Sequence, residues 1–268
     1  RQRHGSPAAA PIARRKNSLH GRIALWLEAW LLRQGDRVST ISPQMLAKLG
    51  EKGIPQERQF ELRNWADARF ASDPAGADEL RREWGLTGKT VALYSGNIAR
   101  KQGIEILIDA ACLLQHRQDI AIVICGEGPN RAALAERARS LGNIQLHNLQ
   151  PVGRMGAMLT MADLHLLPQI AGAADLVLPS KLTNMLASGK PVIATTDPGT
   201  GLHGEIMGCG ISVPPGNATA LAEAIIALAD DGQRRTALGQ AASCRAAERW
   251  QQDAILARTA KELEVLVS

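Results

Sequence analysis

VALYSGNIARKQGIEILIDAACLLQHRQDIAIVIC (91–125) is the stretch that decides the fold. Two short apolar runs, Val91–Ser95 and Ile120–Cys125, flank an amphipathic segment over Gly103–His116. Runs this uniformly apolar read as strands covered on both faces, and the segment between them repeats with the period of a helix. The pattern continues on either side. A helix is expected over Asp78–Trp84. Downstream come helix Arg131–Leu141, strand Ile144–His147, helix Arg154–Met161, strand Leu164–Leu167, helix Lys181–Ser188 and strand Val192–Ala194. A short helix near Gly204–Met207, strand Ile211–Val213 and helix Ala218–Asp230 complete the block, and helices Gln233–Ala247 and Gln251–Val267 follow it. Short apolar strands alternating with helices predict an α/β fold built on one doubly wound parallel sheet.

Ahead of this block lies less than a domain. A helical period runs through 18–34, then come strand Val38–Ile41, a helix opened by Ser42 and Pro43, and strand Gln59–Leu62. Serine as cap with proline at the first helical position is a strong start signal. This is the tail of a second α/β unit, and the polar segment RNWADARFASDPAG (63–76) reads as a linker. The expected organisation is a basic segment (1–17), a C-terminal remnant of an N-terminal domain with the linker start (18–65), a ligand-binding α/β domain (66–232) and closing helices (233–268), the last packing back toward the N-terminal domain. The chain opens at Arg1 rather than methionine, and an upstream part is expected.

Bulk properties narrow the function. Of 268 residues, 45% are hydrophobic and 21% charged, an ordinary globular balance. With one Tyr and two Phe, the core has to be aliphatic. The net charge of +5 sits at one end: residues 1–37 carry eight Arg and Lys (Arg1, Arg3, Arg14, Arg15, Lys16, Arg22, Arg33, Arg37) against Glu28 and Asp36. Such a cluster suits an anionic surface or a solvated tail, but without interleaved aromatics it does not indicate nucleic acid. Trp26 and Trp30 lie one turn apart and either pack against a sheet, the commoner fate, or rest at a membrane interface. The longest apolar run, IALWLEAWLL (23–32), falls short of the ~20 residues a membrane span requires. No secretory leader pattern precedes it. The four cysteines are scattered, with no CxxC pair and no zinc ligand set. Cys112 and Cys125 fall in apolar patterns, so buried, reduced thiols and a cytoplasmic setting are expected.

In a doubly wound sheet the ligand lies outside the carboxyl ends of the strands, so the exit loops carry the chemistry. After the first strand comes SGNIARKQG (95–103), where Gly96 permits close backbone approach and Arg100 and Lys101 supply cations. After the second comes GEGPN (126–130), which begins like a dinucleotide fingerprint but has Arg131 at the third glycine position. After the fourth comes PQIAGAADLVLPSK (168–181). Ser180 is placed as a helix cap, and Lys181 stands in the first helical turn, where a cation opposes the helix dipole. A bound phosphate would reverse that penalty; otherwise Lys181 points into solvent. Asp175 and Glu127 are polar groups near the cleft. His147 and His165 lie in or at the ends of strands, where structural histidines are the commoner outcome.

Taken together, YSGNIARKQGIEILIDAA (94–111), IVICGEGPNRAAL (122–134), LHNLQP (146–151), ADLHLLPQ (162–169) and LPSKLTNMLASGKPVIAT (178–195) resemble the donor-binding domain of family 4 glycosyltransferases of the GT-B fold, of the bacterial exopolysaccharide, colanic-acid type. STISPQML (39–46) and RNWAD (63–67) resemble the end of that family's N-terminal domain and its interdomain linker. The resemblance implies one complete Rossmann-like domain plus the remnant of a second. It implies transfer of a sugar, with retention, from a nucleotide-diphosphate sugar to a lipid-linked saccharide acceptor at the inner face of the cell membrane. No metal or other cofactor is expected. By the same resemblance, Gly96 and Asn97 match the turn near the donor phosphates, and Lys101 the lysine on the diphosphate. Gly126, Glu127 and Gly128 match the glycine turn beneath the nucleotide, and the His147–Leu149 segment the strand end that meets the base. Ser180 and Lys181 match the helix start that receives the pyrophosphate.

The departures are specific. Asn97 stands where the family has an arginine, and the family's two glutamates, eight positions apart, align with Leu176 and Asn184. Asn184 retains the capacity to bond a ribose hydroxyl, whereas Leu176 has no polar contact to offer; either Asp175 takes over that role or the donor sugar is held differently, and the catalytic assignment stays open. Lys101 and Lys181 are the residues expected to stabilise the leaving diphosphate. Two other readings share these features: a nucleotide-sugar epimerase of the same architecture, and a non-catalytic nucleotide-sugar binding module.

Overall fold

The computed structural model describes residues 19–172, 178–264 and 266, so Asp175 and Leu176 lie outside the described residues. The chain divides into two compact units, one of residues up to Leu62 together with those from Lys261 onward, the other Arg63–Ala260.

The first unit holds helix α1 (Leu19–Gln34), strand β1 (Val38–Thr40), helix α2 (Pro43–Glu51) and strand β2 (Gln59–Glu61). The two strands run parallel, with Val38 opposite Gln59. Ser42 caps α2, its hydroxyl accepting from the Met45 N–H at 3.3 Å with Pro43 in the first turn. Val38, Leu49 and Ile54 form a small core, with Leu32 and Leu46 packed against it. Glu262 pairs with Arg37 in this unit. The expected packing of Trp26 and Trp30 against a sheet is not found: the two are 64% and 45% exposed, and α1 has no buried residue. A two-stranded sheet is too small to cover a 16-residue helix, and α1 reaches the core only through Leu32, in its last turn.

The second unit is built on a six-stranded parallel sheet in the order β5-β4-β3-β6-β7-β8. The strands are β3 (Thr90–Ser95), β4 (Ile120–Cys125), β5 (Ile144–His147), β6 (Leu164–Leu167), β7 (Val192–Thr195) and β8 (Gly210–Val213). The helices are α3 (Pro74–Glu83), α4 (Glu105–Leu113), α5 (Arg131–Ala138), α6 (Met155–Met161), α7 (Lys181–Ala187), α8 (Gly201–Ile206), α9 (Ala218–Asp230), α10 (Gly232–Arg249) and α11 (Gln252–Glu264), whose last residues belong to the first unit. Every residue of β4, β6 and β7 is buried, as strands covered on both faces require. One face of the sheet packs on α4, α5 and α9 through Ile104, Leu107, Leu134 and Ile225. The other packs on α3 and α6 through Leu80, Met158 and Met161, and on α7, α8 and α10 through Leu182, Leu202 and Trp250.

Helix starts depart from the apolar period where a cap decides them. Helix α3 begins at Pro74 rather than Asp78, because Asp73 accepts from the Gly76 N–H at 2.9 Å and Pro74 fixes the first turn. Helix α8 begins at Gly201 rather than Gly204, capped by Thr200 on the His203 N–H at 3.2 Å. Cys125 is buried as expected. Cys112 is exposed, on the outer side of α4.

One feature of the sheet positions everything that follows. β3 pairs with β4 at all six of its residues, but with β6 only at Ala92–Leu164 and Leu93–His165. Beyond Leu93 the two strands part, at the point where the strand order reverses. At the amino end the junction is held by Asp163, whose carboxylate accepts from the Val91 N–H at 2.8 Å and from Arg81 at 2.7 Å. Asp163→Ala leaves the Val91 N–H unpaired, and urea denaturation is expected to show a loss of about 1–3 kcal/mol.

Candidate active site

The exit loops of β3 and β4 are pressed together. The Gly96 N–H donates to the Cys125 carbonyl at 2.9 Å, Ile98 N–H to Glu127 O at 2.7 Å, and Asn130 N–H to Ile98 O at 3.1 Å. A Cβ on Gly126 would stand 1.9 Å from the Gly96 oxygen, and one on Gly128 would stand 2.3 Å from the Ile98 oxygen and 2.7 Å from Asn97 Oδ1. Only glycine fits at either position. Gly96 itself has φ +137°, a conformation rarely open to residues with side chains. The Tyr94 hydroxyl donates to the Asn97 carbonyl at 2.7 Å and ties the turn to the strand beneath it.

Lys181 enters the gap between β3 and β6. It neither points into solvent nor lies along its helix. Its ammonium sits 3.9 Å from the centre of the Tyr94 ring and 3.5 Å from the Ser95 carbonyl, and a Cβ on Gly96 would be 3.5 Å from Nζ. Among the described residues no carboxylate pairs with it. Burial pushes the ammonium down to about 7. Burial likewise pushes the Tyr94 phenol up, so its ring stays neutral beneath the lysine. Gly96, Asn97, Gly126, Gly128 and Lys181 are therefore brought to one place. A largely buried cation with no carboxylate beside it among the described residues, above a tight glycine turn, is an arrangement an anion completes.

The remaining residues named from the sequence are placed as follows. Lys101 is exposed on a single 3-10 turn, Arg100–Gln102. Glu127 is exposed, 3.6 Å from Arg131. Arg131, at the third glycine position, ties the loops: it donates to Gly126 O at 3.2 Å and to Asn148 Oδ1 at 2.6 Å. The His147 carbonyl accepts from the Gly126 N–H at 3.1 Å, while its ring stacks on Trp84 at 3.7 Å and lies 2.9 Å from Gln145 Oε1. Leu149 is 62% exposed beside it. His165 is fully buried against Ser188 and kept neutral by that burial, at about 3, a structural histidine.

Ser180 does not cap α7. Its backbone is already helical (φ −58°, ψ −29°) and its side chain makes no cap bond, because the Leu182 N–H turns back to Pro179 O at 3.0 Å. The segment read as a linker is bound along this unit. Asn184 Oδ1 accepts from the Asp67 N–H at 2.8 Å, Thr183 donates to Trp65 O at 3.4 Å, and the Ala66 N–H donates to Trp250 O at 3.0 Å. Asn184 thus has one end engaged by the fold. With Asn64, Trp65, Asp67, Ser180, Lys181 and Thr183 it walls a pocket of about 400 Å³.

One residue of the site, Tyr94, gives no signal in the sequence, where it is an ordinary strand residue. Among the described residues no group of three His, Cys, Asp or Glu side chains is placed to hold a metal ion.

The profile of the family described as "Glycosyl transferases group 1" matches residues 76–245, which include the whole six-stranded sheet and the loops leaving its strands. The chain belongs to this family. It is 43% identical over 167 residues to a putative colanic acid biosynthesis glycosyl transferase, WcaI, of Escherichia coli K12, a match covering 60% of this chain and 41% of that protein. It is 28% identical over 228 residues to the alpha-D-kanosaminyltransferase of Streptomyces kanamyceticus, covering 82% and 58%. The chain therefore spans about half the length of these curated relatives. Among solved structures it resembles Anabaena HepE in complex with UDP and glucose, with a TM-score of 0.78 at 19% identity over 91% of this chain and 67% of that one. This likeness establishes the fold, that of GT-B glycosyltransferases.

The buried lysine has a consequence for stability. Between pH 7 and the usual lysine range near 10.4, the unfolded chain carries a proton at Lys181 that the folded chain lacks. Stability therefore rises with pH across that window. Lys181→Met is expected to flatten this rise by roughly 1 kcal/mol per pH unit, read from urea denaturation of both proteins at pH 7, 8 and 9.

Proposed function

We propose that this chain is the donor-binding part of a retaining glycosyltransferase. The enzyme takes a sugar from a nucleotide-diphosphate sugar and passes it to a lipid-linked saccharide. The observation that carries the reading is the largely buried ammonium of Lys181 where β3 and β6 part, beside the Gly96 turn and with no carboxylate partner among the described residues. Family membership supports the transfer, and the solved HepE complexes with UDP and with UDP-glucose support the class of donor.

In this reading the sugar C1–O bond breaks and the diphosphate leaves with its charge increased. Lys181 offsets that charge, and Tyr94 holds the ammonium where it develops. The acceptor hydroxyl adds to C1 on the face the diphosphate leaves and gives its proton to the departing phosphate oxygen, which retains configuration. Lys101 reaches the diphosphate from the exposed turn. Asn97, Gly126, Glu127 and Gly128 form the bed of the nucleotide, His147 and Leu149 border the base, and Ser180 stands at the pyrophosphate. The free amide end of Asn184 meets the ribose, and Asp175 takes the place of the missing glutamate. The reaction runs without a metal, in the cytoplasm. No helix of the described residues is long and apolar enough to cross a membrane. The exposed Leu19, Ile23, Trp26 and Trp30 of α1, with Arg22 and Arg33 on the same helix, support a peripheral contact with the inner membrane face.

The test uses the full-length enzyme with radiolabelled nucleotide sugars and lipid-linked acceptor, the product anomer being read by NMR. Transfer with retention is expected. Lys181→Ala is expected to lower turnover at saturating donor by more than about tenfold, the scale of losing one such contact. Inverted product would contradict the mechanism, and unchanged turnover would remove Lys181 from it.

A further inference from the structure

A second concave site lies at the opposite end of the sheet. Lys190 leads into β7 and Asp163 into β6, so the pocket they line lies at the amino ends of these parallel strands. The Gly96 turn and Lys181 follow the carboxyl ends of theirs. The pocket measures about 390 Å³. Its other wall is α10, which lines it with Arg235, Thr236, Gln240 and Ser243, spaced as residues of one helical face are.

The charges at this pocket do not cancel. Asp163 is already engaged, accepting from the Val91 N–H at 2.8 Å and from Arg81 at 2.7 Å. Lys190 has no hydrogen bond or ion pair among the described residues. Burial holds its ammonium below the usual lysine range; Asp163 pulls it back up, and Arg81 and Arg235 push it down. Three cations thus act together against a single carboxylate, a net of +2. Arg235 is fixed by the Leu228 and Ala229 carbonyls, which accept from it at the end of α9 but carry no net charge. The backbone at Lys190 is fixed as well. The Gly189 N–H donates to Leu186 O at 3.0 Å, and a Cβ on Gly239 would stand 2.3 Å from the Gly189 oxygen and 3.7 Å from Lys190 Cα, so α10 lies directly on this loop. The Thr236 hydroxyl is taken up by Gly232 O at 2.9 Å, whereas the Gln240 amide and the Ser243 hydroxyl make no hydrogen bond among the described residues.

We propose that this pocket binds a dianionic phosphate, either inorganic phosphate or a phosphomonoester, with Lys190 and Arg235 as its counter-charges. The site is separate from the donor site and does not depend on the nucleotide-sugar reading. A phosphate group carries a charge of about −1.5 to −2 at pH 7, which matches the net charge around the pocket. Its oxygens accept hydrogen bonds, and the ammonium, guanidinium, amide and hydroxyl that line the pocket are all able to donate them. A phosphodiester, the link in a membrane lipid headgroup, carries a single charge and leaves one cation unmatched.

The experiment is calorimetry of inorganic phosphate binding to the full-length protein, with ionic strength held constant by sodium chloride. Wild type is compared with Lys190→Met, Lys190→Arg, Gln240→Glu and, as the control that removes the donor-site cation, Lys181→Met. Lys190→Met is expected to weaken phosphate binding more than about tenfold, the loss of one charge-assisted bond, while Lys190→Arg and Lys181→Met keep it. Gln240→Glu, at an exposed position on α10, sets a negative charge on the pocket and is expected to weaken binding in the same direction. The melting temperature of phosphate-free Lys190→Met should hold or rise, since a partly buried charge is removed, and the rise that phosphate gives the wild type should be lost. Phosphate binding that Lys190→Met leaves unchanged overturns the proposal, and Gln240→Glu decides the same way if Lys190→Met does not fold. A wild type that binds no phosphate overturns it as well. Binding lost with Lys181→Met alone would assign the phosphate to the donor site and overturn the present proposal without touching the donor reading. Lys190-dependent binding to phosphatidylglycerol vesicles, with no binding of free phosphate, would also overturn it.

Discussion

Strands β3 and β6 stay together for only two residue pairs, and the site depends on that. A parallel sheet needs its backbone groups paired, and β4 meets this along the whole of β3. On the other edge the reversal of strand order sends the exit loops of β3 and β6 in opposite directions, and the Ser95 carbonyl meets no strand partner on β6. Lys181 reaches that carbonyl instead, across the face of Tyr94. An anion position thus follows from one break in pairing, with the glycine turns at Gly96 and Gly126 pressed against its side.

The strands of the second unit were legible because burial on both faces leaves little room for anything but aliphatic residues. Ile120–Cys125, Ile144–His147 and Leu164–Leu167 coincide with the observed strands for that reason. Helix starts were less legible where a cap outweighs the apolar period, as at Asp73 and Thr200. Ser180 shows the reverse case, a capping residue type in a position whose backbone has already turned helical. Residue type states what a side chain is able to do, and the neighbouring backbone decides whether it does it.

The site was legible as an anomaly rather than as a geometry. A lysine in the first turn of a helix marks a broken local rule, and the rule is broken because its ammonium leaves the helix for the sheet. The partner that receives it, Tyr94, is 87 positions away in the chain, and no short window contains both. Asn184 was readable as a polar residue inside a packed helix, but its engagement with Asp67 required knowing that the segment after Arg63 runs along α7. The exposure of α1 reflects the small extent of its two-stranded sheet, which its apolar period alone does not reveal.

The central claim is that the parting of β3 and β6 is where the diphosphate of a nucleotide sugar binds. A crystal structure of the full-length protein soaked with a nucleoside diphosphate, UDP or GDP, tests it most directly. The account predicts a phosphate oxygen within about 3 Å of Lys181 Nζ beside the Gly96 turn, the spacing of a charge-assisted hydrogen bond. A nucleotide bound elsewhere, with the Lys181 ammonium still seated on Tyr94, would contradict it.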